Sequence, residues 1–549
     1  MHAIELVLLA TFPLASFSAL PAPPAVQHED ALALPRYLTE AEAALVSEHP
    51  IVATGQRGAT PAGLVHCVAE YEPMEGILMA YEGSAGWRVI LDQMAAEITT
   101  VGDANVYVMC DTASEQATAR NAMVARGADT NRVFTYVRTT DSIWIRDYGP
   151  RYIYEGNGGP NGDLGVRSIV DHTYNRPRPN DNLLSDYWSS IRSEPQYQIP
   201  LVHGGGNYHL SAAGDSYSTR LIANENGFLS EGDIIQLWRD CQNLETTITD
   251  PLPSSVDSTQ HIDMWMQILG DDAVVIADYP LASGSTHDQV CDAQAVQMAA
   301  DGYTVTRVEN IGNPFATHYT FTNVVMCNDI VLLPEYDNIP ASYSANALAA
   351  WQAAAPDKTI IQIDCDAIVT SAGVMHCIVM HVPANAGGED PVAWLTSPNI
   401  SDLYEPGQQV AVTWRSDDDK NDIVSADLLL SIDGGTNFDP VAEALSNSGQ
   451  TIWIVPDIST NQGVLRVALH DGDGNTGYDD SDELFIINGG GCNAADIAEA
   501  FGVLDLQDVQ AFVAGFVGGD PIADIAPPFG VLDLQDVQLF IGEFVTGCP

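Results

Sequence analysis

From about Glu70 to Pro383, apolar runs of strand length (VYVMC, AVVIADYP, DIVLLPEYD, TIIQIDCD) alternate with helix-like stretches such as GWRVILDQMAAEI and ANALAAWQAAAP. Strands alternating with helices predict an α/β domain. Within PANAGGEDP, residues 385–391 then read as a linker. Across residues 392–488 the pattern changes to short runs (QVAVTW, ADLLLSI, TIWIVP, ELFII) broken at close intervals by Gly, Asn and Asp. That spacing predicts a small all-β sandwich. Residues 489–549 repeat themselves: ADIAEAFGVLDLQDVQAFVAGF at 495–516 returns as ADIAPPFGVLDLQDVQLFIGEF at 523–544. Each copy predicts a turn feeding an amphipathic helix, with Val509, Phe512 and Phe516 on one face.

Composition narrows the setting. The formal charge is −54, with 20 basic against 74 acidic residues, which excludes simple electrostatic binding to nucleic acid or an anionic membrane. Only Lys358 and Lys420 are lysines, so nearly all positive charge is arginine. Residues 1–25 combine a short apolar run with small residues and prolines, as a secretory signal peptide does, and residues 26–66 form an N-terminal extension. No later apolar stretch is long enough to span a membrane. The expected location is secreted or cell-surface. Nine cysteines fit export: eight could form four bridges, leaving Cys377.

Polar clusters stand out in the α/β segment: SIWIRDYGP, YNRPRP, HGGGNYH, QHIDMW, FTNVV and GVMHCIVMHVP. Singly, each has an ordinary reading. RDYGP suits a salt-bridged turn, HGGGN a flexible loop, HID a strand end, and Met375-His376-Cys377 a core segment. Arg176 and Arg178 share a side of a proline-restricted segment, so they suit either a two-pronged anion clamp or an ion pair with a nearby acid such as Asp181.

In this order, after YEPMEGILMAY, the clusters resemble the agmatine deiminase and porphyromonad-type peptidylarginine deiminase family, over about Val68 to Pro383. The resemblance implies a five-bladed α/β propeller of the guanidino-group-modifying type, spanning a catalytic domain at 67–384. It also implies a cysteine hydrolase that needs no metal or organic cofactor. Asp147 and Asp263 would grip a planar guanidinium bidentately. Cys377 would attack the central carbon, and His261 would protonate the departing ammonia and then activate water. His261 and Asp263, two apart, would share a side of an extended stretch. Asn323 would position the substrate or its neighbours, Trp144 would pack on the aliphatic part of an arginine, and His376 would be structural. YNRPRP looks like the peptidylarginine branch, where two arginines hold the α-carboxylate of a C-terminal arginine. Ser258 and Ala372 depart from the family pattern beside the site.

The expected function is therefore deimination of arginine, at the C-terminus of peptides, to citrulline and ammonia. The alternatives are a deiminase of agmatine or free arginine, or a catalytically silent surface binding protein. The all-β segment resembles Ig-like modules appended to secreted bacterial enzymes, with DGDGN at 471–475 read as a turn. The tail resembles a duplicated dockerin-type module for a surface or docking partner. Its early loop positions lack Asp or Asn, which leaves calcium binding open, and a disulfide between Cys492 and Cys548 would take over that role.

Overall fold

The computed structural model describes residues 33–53, 59–156, 164–314, 316–488, 493–498 and 503–548. The signal-peptide reading, Gly502 and Cys492 lie outside the described residues.

Residues 64–383 form five separate sheets of three or four strands. Each sheet repeats one plan: a short first strand lies antiparallel to a second, and a helix carries the chain to a third strand parallel to the second. Met266–Gly270, Ala273–Asp278 and Thr304–Glu309 make one such unit around the helix Thr286–Ala300. Val325–Cys327, Ile330–Glu335 and Thr359–Asp364 make another around Ala341–Ala354. The others are built on Arg151–Gly156 with Val166–Tyr174 and Gln196–His203, and on His209–Leu210 with Asp215–Thr219 and Glu245–Thr249. The last unit is assembled from both ends of the region: Met380–Pro383 pairs with Met74–Ala80, which runs parallel to Asn105–Cys110. Leu64–Cys67 adds an edge strand beside Arg151–Gly156.

Local sequence explains these units. The second strands read as continuous apolar runs because both faces are covered: Ile330 to Pro334 are all buried. The helices start on polar caps. Ser84 accepts from the Trp87 amide, and Ser230 and Asp233 cap each other reciprocally. The main core joins several units through Ile77, Met79, Val106, Trp265, Ile276, Leu332 and Trp351.

Beyond residue 391, a three-stranded sheet (Val392–Ser397, Gln409–Asp417, Gln450–Ile454) faces a larger one built around Ser425–Ser431 and Ser459–His470. Between them lie Leu395, Val412, Trp414, Trp453, Leu465 and Phe485. Alternate residues from Gln409 to Trp414 point inward, the two-residue period of a half-buried strand. Asp471 accepts the amides of Asp473, Gly474 and Asn475, which makes DGDGN a side-chain-closed turn. This all-β unit is fastened to the α/β region by Arg167, fully buried, whose Nε and Nη2 donate to Asp417 at 2.8 and 2.9 Å and whose Nη1 pairs with Glu75.

In the tail, the helices Leu506–Gly518 and Leu534–Thr546 stack Phe512 on Phe540 with ring centres 4.1 Å apart. Asp508 and Asp536 each accept two backbone amides from the preceding turn, from Ile497 and Ala498 and from Ile525 and Ala526.

The four-bridge expectation is corrected. Cys67, Cys110, Cys291, Cys327 and Cys365 are free thiols packed in the core, where cysteine acts as a small hydrophobe, and Cys377 is a free thiol among polar groups. Cys548 is disulfide-bonded.

Candidate active site

The residues singled out from sequence meet at one place because they occupy equivalent positions in the repeat. In each unit the turn entering the first strand carries a polar side chain inward. Asp147 precedes Arg151–Gly156, Asn207 precedes His209–Leu210, Asp263 precedes Met266–Gly270, Asn323 precedes Val325–Cys327, and Cys377 precedes Met380–Pro383. Asp147 lies in the short helix Ile145–Tyr148, and Asp263 and Cys377 lie in single 3-10 turns. His261 is extended but the chain turns at Ile262, so the shared-side strand geometry is replaced by a turn that still brings His261 and Asp263 to one point.

At that point sits a guanidinium, and it is the chain's own. Arg36, from the N-terminal extension, is fully buried. Its Nε and Nη2 donate to the two oxygens of Asp147 at 2.9 and 2.8 Å, and its Nη1 and Nη2 to those of Asp263 at 3.1 and 3.0 Å. Nη1 also lies 2.6 Å from Cys377 Sγ, and Nη2 lies 2.7 Å from His261 Nδ1. Two carboxylates therefore grip the plane from two sides, leaving the thiol and imidazole at its ends. Asn323 donates to Cys377 Sγ at 3.2 Å and to the Asp263 carbonyl at 3.1 Å, which ties nucleophile to anchor.

The electrostatics follow from burial opposed by pairing. Burial acts to raise the Asp147 and Asp263 carboxyls, but the Arg36 guanidinium together with His261, joined at Asp263 by His376, outweighs it and holds both below the usual carboxylate range. Burial acts to lower Arg36, yet the same carboxylates hold it well above an ordinary arginine. The Cys377 thiol is pushed well up by burial, against the pull of Arg36. Burial alone disfavours the thiolate, and the cation beside the sulfur is what favours it.

Sequence reasoning missed Arg36 and Glu70, and assigned no role to Gly206 and Asn207 within HGGGNYH. Gly206 leaves room for the guanidinium: a Cβ there would lie 1.9 Å from Arg36 Nη2. Its amide also donates to Asp147 at 3.0 Å. Asn207 accepts the amides of Thr219 and Ile262, holding the 261–263 turn. Glu70 and His376 form a chain behind the anchor: His376 Nδ1 is 3.0 Å from Asp263 and its Nε2 is 2.9 Å from Glu70, which also pairs with Arg146. His376 is thereby corrected from a core residue on a strand to a positioning residue on a 3-10 turn.

The arginines of YNRPRP and Trp144 touch the main chain around Arg36. Trp144 Nε1 donates to the Leu34 carbonyl at 2.7 Å, Arg178 Nη2 to the Pro35 carbonyl at 2.8 Å, and Arg176 Nε to the Arg36 carbonyl at 3.0 Å. Trp144 thus meets the main chain two residues before Arg36 through its ring N–H. Arg178 does make an ion pair, but with Glu42 at 2.8 Å; Asp181 instead accepts from Ser142 and the amides of Asp141 and Ser142. Burial raises Asp181 to about 7, with the Asp141 charge adding to it. Ser258 and Ala372 line a cleft of about 720 Å³ that also contains Tyr37, the residue after Arg36.

Comparison with known proteins places this arrangement. The agmatine deiminase of Ectopseudomonas mendocina is 24% identical over 369 residues, covering 59% of this chain and 96% of that protein. That of Pseudomonas aeruginosa is 22% identical over 363 residues, covering 58% and 95%. Among solved structures, an agmatine deiminase of Enterococcus faecalis described as catalysing its reaction has a TM-score of 0.50 at 18% identity, covering 58% of this chain and 96% of that one. A substrate-bound agmatine deiminase of C. jejuni has a TM-score of 0.50 at 15% identity, covering 60% and 98%. Residues 66–383 match the family of Porphyromonas-type peptidyl-arginine deiminases, more than half of the chain. The chain belongs to that family, and is a hydrolase acting on the C–N bonds of guanidino groups.

Proposed function

We propose that the protein deiminates arginine held in a polypeptide, giving citrulline and ammonia, and that a C-terminal arginine is its best substrate. One observation carries the reading: the site holds an arginine by its guanidinium and also by three successive main-chain carbonyls, through Trp144, Arg178 and Arg176. Agmatine offers no such carbonyls. Arg176 meets the carbonyl that becomes the α-carboxylate when arginine ends the chain, and a carboxylate there adds charge to that hydrogen bond. The cleft beside Tyr37 leaves space for a following residue, so an internal arginine is admitted too.

The chemistry follows from the contacts. Asp147 and Asp263 fix the plane and concentrate positive charge at Cζ. Cys377 Sγ attacks Cζ as thiolate, making a tetrahedral adduct. His261, beside Nη2, delivers the proton with which that nitrogen departs as ammonia, leaving a thiouronium. Water, deprotonated by His261, then adds to Cζ, and the C–S bond breaks to give the ureido group and the free thiolate.

Around this core we read the five units as the blades of an α/β propeller, the β-sandwich as Ig-like and the helical tail as dockerin-like, on a secreted or surface-held enzyme. The test uses the full chain carrying Arg36→Ala, with three substrates: a peptide ending in arginine, the same peptide with arginine internal, and agmatine. Ammonia release, accompanied by citrulline from the two peptides and by the corresponding ureido amine from agmatine, is expected in that order of kcat/KM. Turnover of agmatine alone would refute the peptidyl reading.

A further inference from the structure

Arg36 makes every contact the reaction asks of a substrate. Its guanidinium lies between both carboxylates, against the nucleophilic sulfur at 2.6 Å and the imidazole at 2.7 Å. Its amide is held by the Ser371 carbonyl at 3.0 Å and its carbonyl by Arg176. The segment is moored at a second point, where Glu42 in the helix Glu40–Glu48 meets Arg178. The Arg36 guanidinium, Asp147, His261, Asp263 and Cys377 are all closed off from solvent. No guanidinium from outside reaches Cys377 while Arg36 is in place, and a tethered ligand competes at high effective concentration.

We propose that Arg36 is a self-modification site: the enzyme's first substrate is its own N-terminal segment, deiminated in cis, and that reaction opens the active site. The proposal rests on the deiminase reading above. The Cys377 Sγ–Cζ bond forms as the Cζ–Nη2 bond breaks, with the proton from His261 leaving on ammonia. Solvent water then supplies the oxygen, returns a proton to His261, and the Cζ–S bond breaks to leave citrulline at position 36 and the thiolate restored.

The product binds worse than the reactant for a reason visible in the site. Nη2 donates to both Asp147 and Asp263, and an oxygen in its place would point lone pairs at two carboxylates. The positive charge that balances those buried carboxylates is also lost. What remains is the peripheral mooring through Glu42 and the main-chain hydrogen bonds, so the segment is released after a single turnover.

The test is a peptide map of the full chain as isolated, cut at acidic or aromatic residues so that conversion of arginine does not alter the digestion. Expected is citrulline at position 36 in the wild-type chain, read as the mass change of NH exchanged for O, and unmodified arginine in Cys377→Ser. An isotopically heavy Cys377→Ser chain mixed with wild type is expected to keep its Arg36; conversion of the heavy chain would overturn reaction in cis. Arg36→Ala, assayed on arginine peptides and agmatine, separates the two levels of the argument. If Arg36→Ala turns over an added substrate while wild-type Arg36 stays arginine, self-modification is wrong and the deiminase stands. If Arg36→Ala is silent on every substrate and Arg36 is unmodified, both readings fall together.

Discussion

Replacing Arg176 by methionine, in the chain carrying Arg36→Ala, removes the guanidinium that meets the arginine carbonyl while keeping its apolar stem. The lost contact is one hydrogen bond of 3.0 Å from a charged donor. Such bonds contribute about 1.5–3 kcal/mol, and partial solvent exposure of Arg176 places this one in the lower half for a neutral carbonyl, about 1.5–2 kcal/mol. At about 1.4 kcal/mol per tenfold, kcat/KM for a peptide with internal arginine should fall roughly 10- to 30-fold. For a C-terminal arginine the partner is a carboxylate, the loss moves toward 3 kcal/mol, and the fall approaches roughly 150-fold. Agmatine has nothing at this position, so its kcat/KM should stay within about twofold. Initial rates of ammonia formation on the three substrates give the comparison directly, with citrulline as a second readout on the two peptides. An equal loss on agmatine and on peptides would refute the reasoning, because Arg176 would then act on the guanidinium site and not on the main chain.

Cys377→Ser should abolish citrulline and ammonia release from every substrate in the Arg36→Ala chain, with binding of an arginine peptide retained by calorimetry. His376→Ala removes the group behind Asp263 and should lower kcat roughly 10- to 100-fold with little change in KM, the cost of a misplaced anchor. Asp181, Asp171 and Glu225 are each raised to about 7, chiefly by burial, so the fold favours their neutral forms. That stability is fully present below the ordinary carboxyl range of about 4 and is lost as pH rises through about 7. The thermal midpoint should therefore fall between pH 5 and 8, and less steeply in Asp181→Asn. Arg167→Ala strands Asp417 at the boundary with the β-sandwich, while Glu75 keeps Arg192, and should cost about 3–5 kcal/mol, read as a separate early calorimetric transition.

Much of this was legible in the chain. Asp147, His261, Asp263, Asn323 and Cys377 were singled out because each sits in a compact motif, and the structure brings them together at the turns that enter the first strands, while the α/β alternation matched the repeating units. What was not legible depends on distance in sequence. Nothing in LPRYL marks Arg36 as the occupant of a site built more than a hundred residues later, although it is the only Lys or Arg in the first 56 residues. The pairing of Arg178 with Glu42 was hidden for the same reason, and Asp181, nearer in sequence, was the natural wrong partner. Cysteine counting failed because the thiols serve packing. His376 was misjudged because adjacent residues were assumed to alternate along a strand, whereas a 3-10 turn lets His376 support Asp263 while Cys377 meets the guanidinium.

The pairing of Met380–Pro383 with Met74–Ala80 joins the end of the catalytic region to its beginning, and the Ala384 amide closes it onto the Pro73 carbonyl at 3.0 Å. Cys377 stands three residues before that strand. During synthesis, then, the carboxylates and the imidazole can be in place while the sulfur is still in the ribosomal tunnel. The nascent chain holds a guanidinium receptor before it holds a reagent. Reactivity arrives last, with the strand that pairs the end of the region with its beginning, so a chain truncated before residue 377 is harmless to the arginines around it.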